Sequence, residues 1–350
     1  MPAHPPQPSP AANPALQELQ RIGDGLLLHQ CVYAAAKLGI ADLLAGGATS
    51  VAELAGRASV NEDALYRVLR MLSSKGIFEE AAPRVFRNTE SSNFLRADVP
   101  GSLRPMFIFR GSQFIYPSFG EILHSVKTGE PASVKAHGGT DDFEYLRRNP
   151  EEGRIFDDAM SAMSSVIGPV VAATYDFGQW GSLTDVGGGN GILLASILKA
   201  HPQLRGVLAD LPHVLERARR RGFLSGELAE RAQMIECDFF RAVPAGTRAY
   251  VMKSIIHDWD DEKARQILSN CRRAVPADGA LLLVEWGLSG ANEPSPGKFA
   301  DVTMLIMTGG KERTPEEYGE LFSRAGFRLN RVVPTPVGMA VFEARPAQLP

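Results

Sequence analysis

Cysteine is nearly absent: Cys31, Cys237 and Cys271 are the only three in 350 residues, odd in number and without CxxC spacing. That excludes a disulfide framework and a cysteine-based zinc site, and it predicts a reducing, cytoplasmic setting with no bound metal. An excess of one charge is lacking too. Lys and Arg number 37 against 40 Asp and Glu, a net charge of −3, so neither nucleic acid nor an anionic membrane is expected as a partner. No run reaches the roughly 18 apolar residues of a membrane span, and the start, MPAHPPQPSPAANPA, has no basic stretch followed by an apolar one. Residues 1–15 read instead as a Pro-rich disordered tail. What is present is 44% hydrophobic residues in a chain long enough for two domains, which leaves a small molecule or another protein as the partner.

Residues 16–110 read as a helical domain. Leu16, Leu19, Ile22 and Leu26 to Leu28 recur near the helical period of about 3.6 residues, predicting helix from Leu16 to Leu44 that Gly23 and Gly25 loosen. Ser50 and Glu53 have capping-box spacing, Asn61 can cap a second helix, and Leu65, Val68, Leu69 and Leu72 give that helix one apolar stripe. The hairpin-like KGIFEEAAPRVFRNTE completes a winged helix-turn-helix pattern. DNA binding is the obvious reading, but Arg67, Arg70 and Lys75 are set against Glu62 and Asp63, a poor balance for a phosphate-facing helix. A packing or dimer-forming module is favoured. Residues 111–175 read as connecting helices rich in aromatics and methionine; most belong in a core, while Phe156 and Met160, with Met304 further on, are candidates to line an apolar pocket where the two parts meet.

From residue 176 to 350 the pattern changes. The runs SLTDV, RGVLAD, QMIECD, AYVMKSII and ALLLVE alternate with helical stretches near 191–200, 212–220 and 261–274, the signature of βαβ units and a Rossmann-like, largely parallel sheet. RLNRVVPTPVGMAVFEARP adds two strands as an antiparallel hairpin at one edge. In such a sheet the ligand lies beyond the carboxyl ends of the strands. Those ends carry Asp185, Asp210, Asp238, His257 with Asp258, and Glu285. One acid there is readily a helix cap; five in register point to a common site.

The loop after the first strand holds Gly187, Gly189 and Gly191, but Ile192 stands where a dinucleotide fingerprint needs its third glycine. Asp210, about 20 residues on, is placed to accept both ribose hydroxyls. Asp238 can accept from the adenine amine, with Phe239 against the base. The pattern suits an adenosine ligand without requiring phosphate.

LTDVGGGNG, GVLADLPHV, IECDFF, MKSIIHDWDDE and GGKERTPEEYGELFSRAGF together resemble the S-adenosylmethionine-dependent O-methyltransferases of the caffeate/hydroxyindole type, including bacterial enzymes that modify aromatic natural products. The likeness runs from about residue 16 to the end. It implies a winged N-terminal domain that forms a homodimer and a buried acceptor pocket. It also implies cofactor contacts from Gly187, Asp210, Leu211, Asp238, Phe239 and Lys253, with Trp259 near the adenine. The family's base falls on His257, its supporting carboxylates on Glu285 and Glu312, and Asp258 lies beside the acceptor.

Physical chemistry gives that base a task. Methyl transfer from a sulfonium is an in-line displacement that depends on positioning, and a phenol with pKa near 10 must lose its proton during attack. A histidine removes it, and a carboxylate on the other ring nitrogen fixes the tautomer. Glu312 also precedes the helix start RTPEEY, where an acid favours the dipole; on residue type alone the two roles weigh equally. Asp260, Asp261 and Glu262 read as an ordinary helix start, and the other histidines, His4, His29, His124, His137, His201 and His213, as surface or satisfied polar residues. O-methylation of an aromatic or polyketide-like acceptor is the leading expectation. N- or carboxyl-methylation, non-methylating chemistry on the same fold and a ligand-responsive winged-helix regulator are the alternatives.

Overall fold

The computed structural model describes residues 13–347, which form two compact units divided after Gln113. Most of the expected tail therefore lies outside the described residues. Its last residues do not behave as a tail: Asn13 accepts a hydrogen bond from Ala15 N and caps the helix Pro14–Lys37.

That helix runs through Gly23 and Gly25 without a break and stops before Gly39, whose φ of +67° a side chain rarely adopts. The expected continuation to Leu44 is thus a separate short helix, Ile40–Leu43. Ser50 and Asn61 cap the helices Val51–Ala58 and Glu62–Ser73, but only half of the expected Ser50 capping box forms. Strands β1 (Thr49–Ser50), β2 (Phe78–Ala82) and β3 (Val85–Asn88) make the antiparallel wing in the order β1-β3-β2. Leu54, Leu69, Leu72, Phe78 and Phe86 fill its core. Arg84 and Arg87 of the wing pair with Glu62 and Glu79 at 2.6 Å each, so these cations are committed to local acids. On the first helix Leu19, Ile22, Leu26 and Leu27 are each at least 60% exposed.

The second unit holds a seven-stranded sheet in the order β6-β5-β4-β7-β8-β10-β9. Its strands are β4 (Ser182–Val186), β5 (Arg205–Asp210), β6 (Ala232–Glu236), β7 (Ala249–Lys253), β8 (Ala280–Trp286), β9 (Phe327–Pro334) and β10 (Met339–Pro346). β4 to β8 pair in parallel, and the β9–β10 hairpin closes one edge antiparallel. β7 and β8 read as unbroken apolar runs because both faces are covered by helices, and Leu281 to Val284 are fully buried. The chain leaves β4 toward β5 on one side and returns to β7 on the other, and this change of direction opens a crevice at the carboxyl ends of those strands. Among the described residues one helix, Pro150–Thr174, is long and apolar enough to cross a membrane by length and composition; here it packs on the helix Ile192–Ala200.

Candidate active site

The crevice begins with the glycine loop. Gly187 has φ +69°, and a Cβ there would stand 2.8 Å from Ile255 Cδ1 and 3.4 Å from the Phe239 ring, so only glycine leaves the loop mouth open. The Asp210 carboxylate holds the loop from behind: one oxygen accepts from Gly189 N at 2.8 Å and the other from Leu211 N at 2.7 Å. Burial raises the Asp210 pKa and these two N–H donors oppose it. Leu211 lies at the head of the next helix with its side chain 41% exposed. Asp238 accepts from Phe240 N at 3.0 Å, and Phe239 and Phe240, tilted against one another, each meet Trp259 edge to face, Phe240 at 4.8 Å. The Trp259 indole nitrogen is buried without a partner. Lys253 ends β7 against Asp185; burial lowers its pKa against the pull of Asp185, while burial pushes Asp185 up to about 7. An apolar mouth kept free of side chains by Gly187, carboxylates with spare lone pairs and an aromatic wall fit the adenosine and sulfonium of the implied cofactor.

His257 sits in the short turn Ile256–Asp258 after β7 and is 8% exposed. Its Nδ1 lies 2.6 Å from Glu312 Oε1 and 3.8 Å from Glu285 Oε2. The two glutamates are not equivalent. Glu285 Oε1 accepts from Ile255 N at 3.1 Å and Ile256 N at 2.9 Å, so this carboxylate holds the backbone of the turn, whereas Glu312 holds the ring. Glu312 is not a cap: Thr314 and Glu317 form a complete capping box for the helix Pro315–Arg324. Burial alone would lower the His257 pKa, but Glu285, Asp258 and Glu312 outweigh it and raise it to about 10. Burial lifts Glu285 to about 7 against the opposing imidazole, and lifts Glu312 in the same direction. Asp258 Oδ1 is 3.6 Å from His257 Nε2, and burial raises Asp258 to about 6.

His257, Glu285 and Glu312 offer three ligand atoms within 4.8 Å of one another, the only group of metal-binding type among the described residues. The 2.6 Å approach of Nδ1 to Oε1 is closer than two ligands of one zinc ion stand, about 3.3 Å for tetrahedral bonds near 2 Å. That contact is a hydrogen bond.

Three of the acceptor candidates fall on two helices. Phe156 and Met160 are one helical turn apart on Pro150–Thr174, where Ser161 accepts from Asn190 of the glycine loop at 2.8 Å. Met304 lies on Pro296–Ile306, which packs against the His257 turn.

Three expectations need correction. Asp261 is more than a helix start, since its carboxylate binds Arg313 and Lys311, while Asp260 is the cap. His137 is neither exposed nor satisfied: its side chain is buried and Nδ1 has no hydrogen-bond partner, and His29 Nε2 is likewise buried and unpaired. Arg313 was not singled out by the sequence although it is fully buried, with all its donors used: Nε and Nη2 bind Asp261 Oδ1, Nη1 binds the Ile256 and Lys311 carbonyls, and Nη2 also binds the Trp259 carbonyl. It ties the segment carrying Glu312 to the turn carrying His257. Gly310 makes that junction tighter, for a Cβ there would stand 2.0 Å from the His257 carbonyl oxygen.

Comparison with known proteins follows the same division. The O-methyltransferase domain matches residues 119–328, and the O-methyltransferase dimerisation domain matches residues 21–98. The chain is 41% identical over 322 residues to the phenazine O-methyltransferase PhzM of Lysobacter antibioticus, across 92% of this chain and 94% of that protein. It is 35% identical over 325 residues to the phenazine-1-carboxylate N-methyltransferase of Pseudomonas aeruginosa, across 92% and 95%. The crystal structure of the O-methyltransferase NcsB1 from neocarzinostatin biosynthesis, with S-adenosylmethionine and 2-hydroxy-5-methyl naphthoic acid, matches with TM-score 0.79 and 35% identity over 91% of this chain and 95% of that one.

Proposed function

Since the chain belongs to the O-methyltransferase family, as an S-adenosylmethionine-dependent methyltransferase of the bacterial natural-product type, we propose that it methylates a hydroxyl of an aromatic small molecule with His257 as general base. The observation that carries this reading is the 2.6 Å contact between His257 Nδ1 and Glu312 Oε1. It fixes the Nδ1 proton toward the glutamate and turns Nε2 toward Asp258 and the acceptor.

When bound, S-adenosylmethionine supplies an activated methyl on a sulfonium, a positive charge beside which an imidazolium is disfavoured. The residues of the chain then divide the work. Gly187, Asp210, Leu211, Asp238, Phe239, Lys253 and Trp259 hold the cofactor. Phe156, Met160, Asp258 and Met304 position the acceptor. With the cofactor bound, His257 would take the hydroxyl proton on Nε2 while the oxygen–methyl bond forms and the methyl–sulfur bond breaks, leaving the neutral thioether, and Glu312 and Glu285 would stabilise the resulting imidazolium. At rest the three carboxylates already favour that protonated form. The positive charge of the bound cofactor would oppose that form and favour release of the Nε2 proton to solvent before attack. The exposed Leu19, Ile22, Leu26 and Leu27 suit a homodimer contact, in keeping with the dimerisation domain matched from residue 21 onward.

N-methylation is the second reading, because the Pseudomonas aeruginosa relative is an N-methyltransferase and a nitrogen with a free lone pair needs no base. Substitution of His257 separates the two. With labelled S-adenosylmethionine and paired hydroxy- and amino-arenes, His257→Ala should lower methyl ether formation about 10²-fold to 10⁴-fold while cofactor affinity changes little. Undiminished ether formation would remove the base assignment, and N-methyl product formed equally by both proteins would replace it with the second reading.

A further inference from the structure

The peptide of Glu312 is gripped by another acid. Asp301 lies in the middle of the helix Pro296–Ile306, half-buried, and its Oδ1 accepts from Glu312 N at 3.0 Å. Capping does not account for it, because Ser295 at the head of the helix accepts from Gly297 N at 3.1 Å. Glu312 is 2% exposed, so its N–H needs a partner inside the protein, and Asp301 is that partner. The residue that offers Oε1 to His257 Nδ1 at 2.6 Å is thus held through its backbone by a second carboxylate.

The helix that carries Asp301 is itself fixed at both ends. A Cβ on Gly297 would stand 2.6 Å from the Gly287 carbonyl oxygen, so the first turn is seated on the chain just past Glu285. Lys298 Nζ donates to the carbonyls of Gly290 and Glu293 at 2.6 and 2.7 Å. Beyond the last turn, Ser133 Oγ donates to the Met307 carbonyl at 2.6 Å. The helix therefore bridges the strand end carrying Glu285 and the segment carrying Glu312. An uncharged acceptor would satisfy Glu312 N equally well, and a carboxylate is the more costly choice, since its charge opposes that of Glu312. What the charge adds is basicity: Glu312 holds the Nδ1 proton of an imidazolium more firmly.

We propose that Asp301 is a positioning residue for proton transfer, one that sets Glu312 against His257 from behind and lends its negative charge to the pair. The proposal rests on the reading of His257 as the base and adds the residue that makes Glu312 an effective partner. Arg313 secures the neighbouring segment through its side chain; Asp301 secures the peptide from which that partner projects. His257 is faced by Asp258 on its own turn, by Glu285 from the end of β8 and by Glu312. Asp301 acts only through the last of these, so its effect should vanish wherever Glu312 is absent.

Titration of His257 in the full chain tests this without requiring methyl transfer. Nuclear magnetic resonance of nitrogen-labelled histidine reads it, with the signal assigned by its loss in His257→Gln. Asp301→Ala should lower the proton affinity of the imidazole about 10-fold or more, the worth of one hydrogen bond to a charged group. Asp301→Asn, which keeps an oxygen for Glu312 N, should lower it less. On a Glu312→Ala background Asp301→Ala should change nothing further. With a phenol as acceptor, Asp301→Ala should reduce the plateau kcat about 10-fold to 10²-fold and move the acid limb of the pH profile to lower pH, with S-adenosylhomocysteine affinity held. An unchanged titration, an equal loss on both backgrounds, or cofactor affinity falling in step with kcat would overturn the role. If Asp301→Ala does not fold, Asp301→Asn decides alone: a lowered proton affinity supports the role and a wild-type titration overturns it. Absence of methyl ether from the wild-type protein, with the titration shifts intact, would count against O-methylation and leave Asp301 in place.

Discussion

Arg313→Lys keeps the positive charge and removes the fork. The guanidinium makes five hydrogen bonds with its five N–H groups, two to Asp261 Oδ1 and one each to the carbonyls of Ile256, Lys311 and Trp259. An ammonium has three donors on a flexible stem, so at least two of those bonds are lost. Each buried acceptor left without a donor costs about 1–3 kcal/mol, or about 2–6 kcal/mol for two. Asp261 is 41% exposed and can turn to water, which places the expected loss of stability toward the low end, about 2–3 kcal/mol. The catalytic consequence is larger than this figure implies. Ile256 and Trp259 flank His257 and Asp258, so releasing their carbonyls lets Nε2 wander, and a displacement of about 1 Å costs about 10²-fold in rate. Urea unfolding should show the stability loss, and steady-state kinetics should show kcat falling about 10²-fold with cofactor affinity held. Arg313→Lys with wild-type kcat would refute the bracing role, even if its unfolding midpoint moved.

Three further expectations concern the same site. His257 is raised to about 10, so the stability contributed by its imidazolium is complete below its unfolded value of about 6.5 and is lost as pH rises through about 10. Wild-type melting temperature should therefore fall across that interval, and a flat profile would show that the carboxylates do not hold the charge. Asp210→Ala removes both bonds that tie Gly189 N and Leu211 N to one carboxylate and should weaken S-adenosylmethionine binding about 10-fold or more by calorimetry; unchanged affinity would overturn its assignment. Glu285→Gln keeps an oxygen for Ile255 N and Ile256 N while removing the charge, so it should lower kcat far less than Glu312→Ala, which frees the ring; equal losses would contradict the division of labour between the two glutamates.

Strand identity was legible because buried parallel strands leave unbroken apolar runs, as in β7 and β8, and their ends therefore located the row of polar side chains. The glycine loop and Asp210 were legible for the same reason, each falling directly after such a run. Helix ends were less so: Gly39 ends the first helix earlier than the apolar period does, because a backbone angle and not a hydropathy change stops it. What periodicity could not reach was pairing at long range. Glu312 separates from an ordinary capping acid only once its contact with His257 is seen, 55 residues away in sequence. Arg313 and Asp261 are 52 apart, and each looks like a surface charge until both are placed. His137 carried no motif at all, and only its buried, unpaired Nδ1 distinguishes it.

The contact at Gly310 bears on how such an enzyme can change its acceptor. With the backbone of one loop seated directly on the carbonyl of His257, no side chain stands between the base and the segment that orients it, so the chemical end of the site has a fixed dimension. Variation is left to helices such as Asp142–Arg148 and Pro150–Thr174, whereas Pro296–Ile306 belongs to the fixed end, because its Asp301 Oδ1 accepts from Glu312 N at 3.0 Å. The molecule is modular at this boundary: an engineer exchanging the first two helices between relatives would move substrate preference while inheriting the proton-transfer apparatus unaltered.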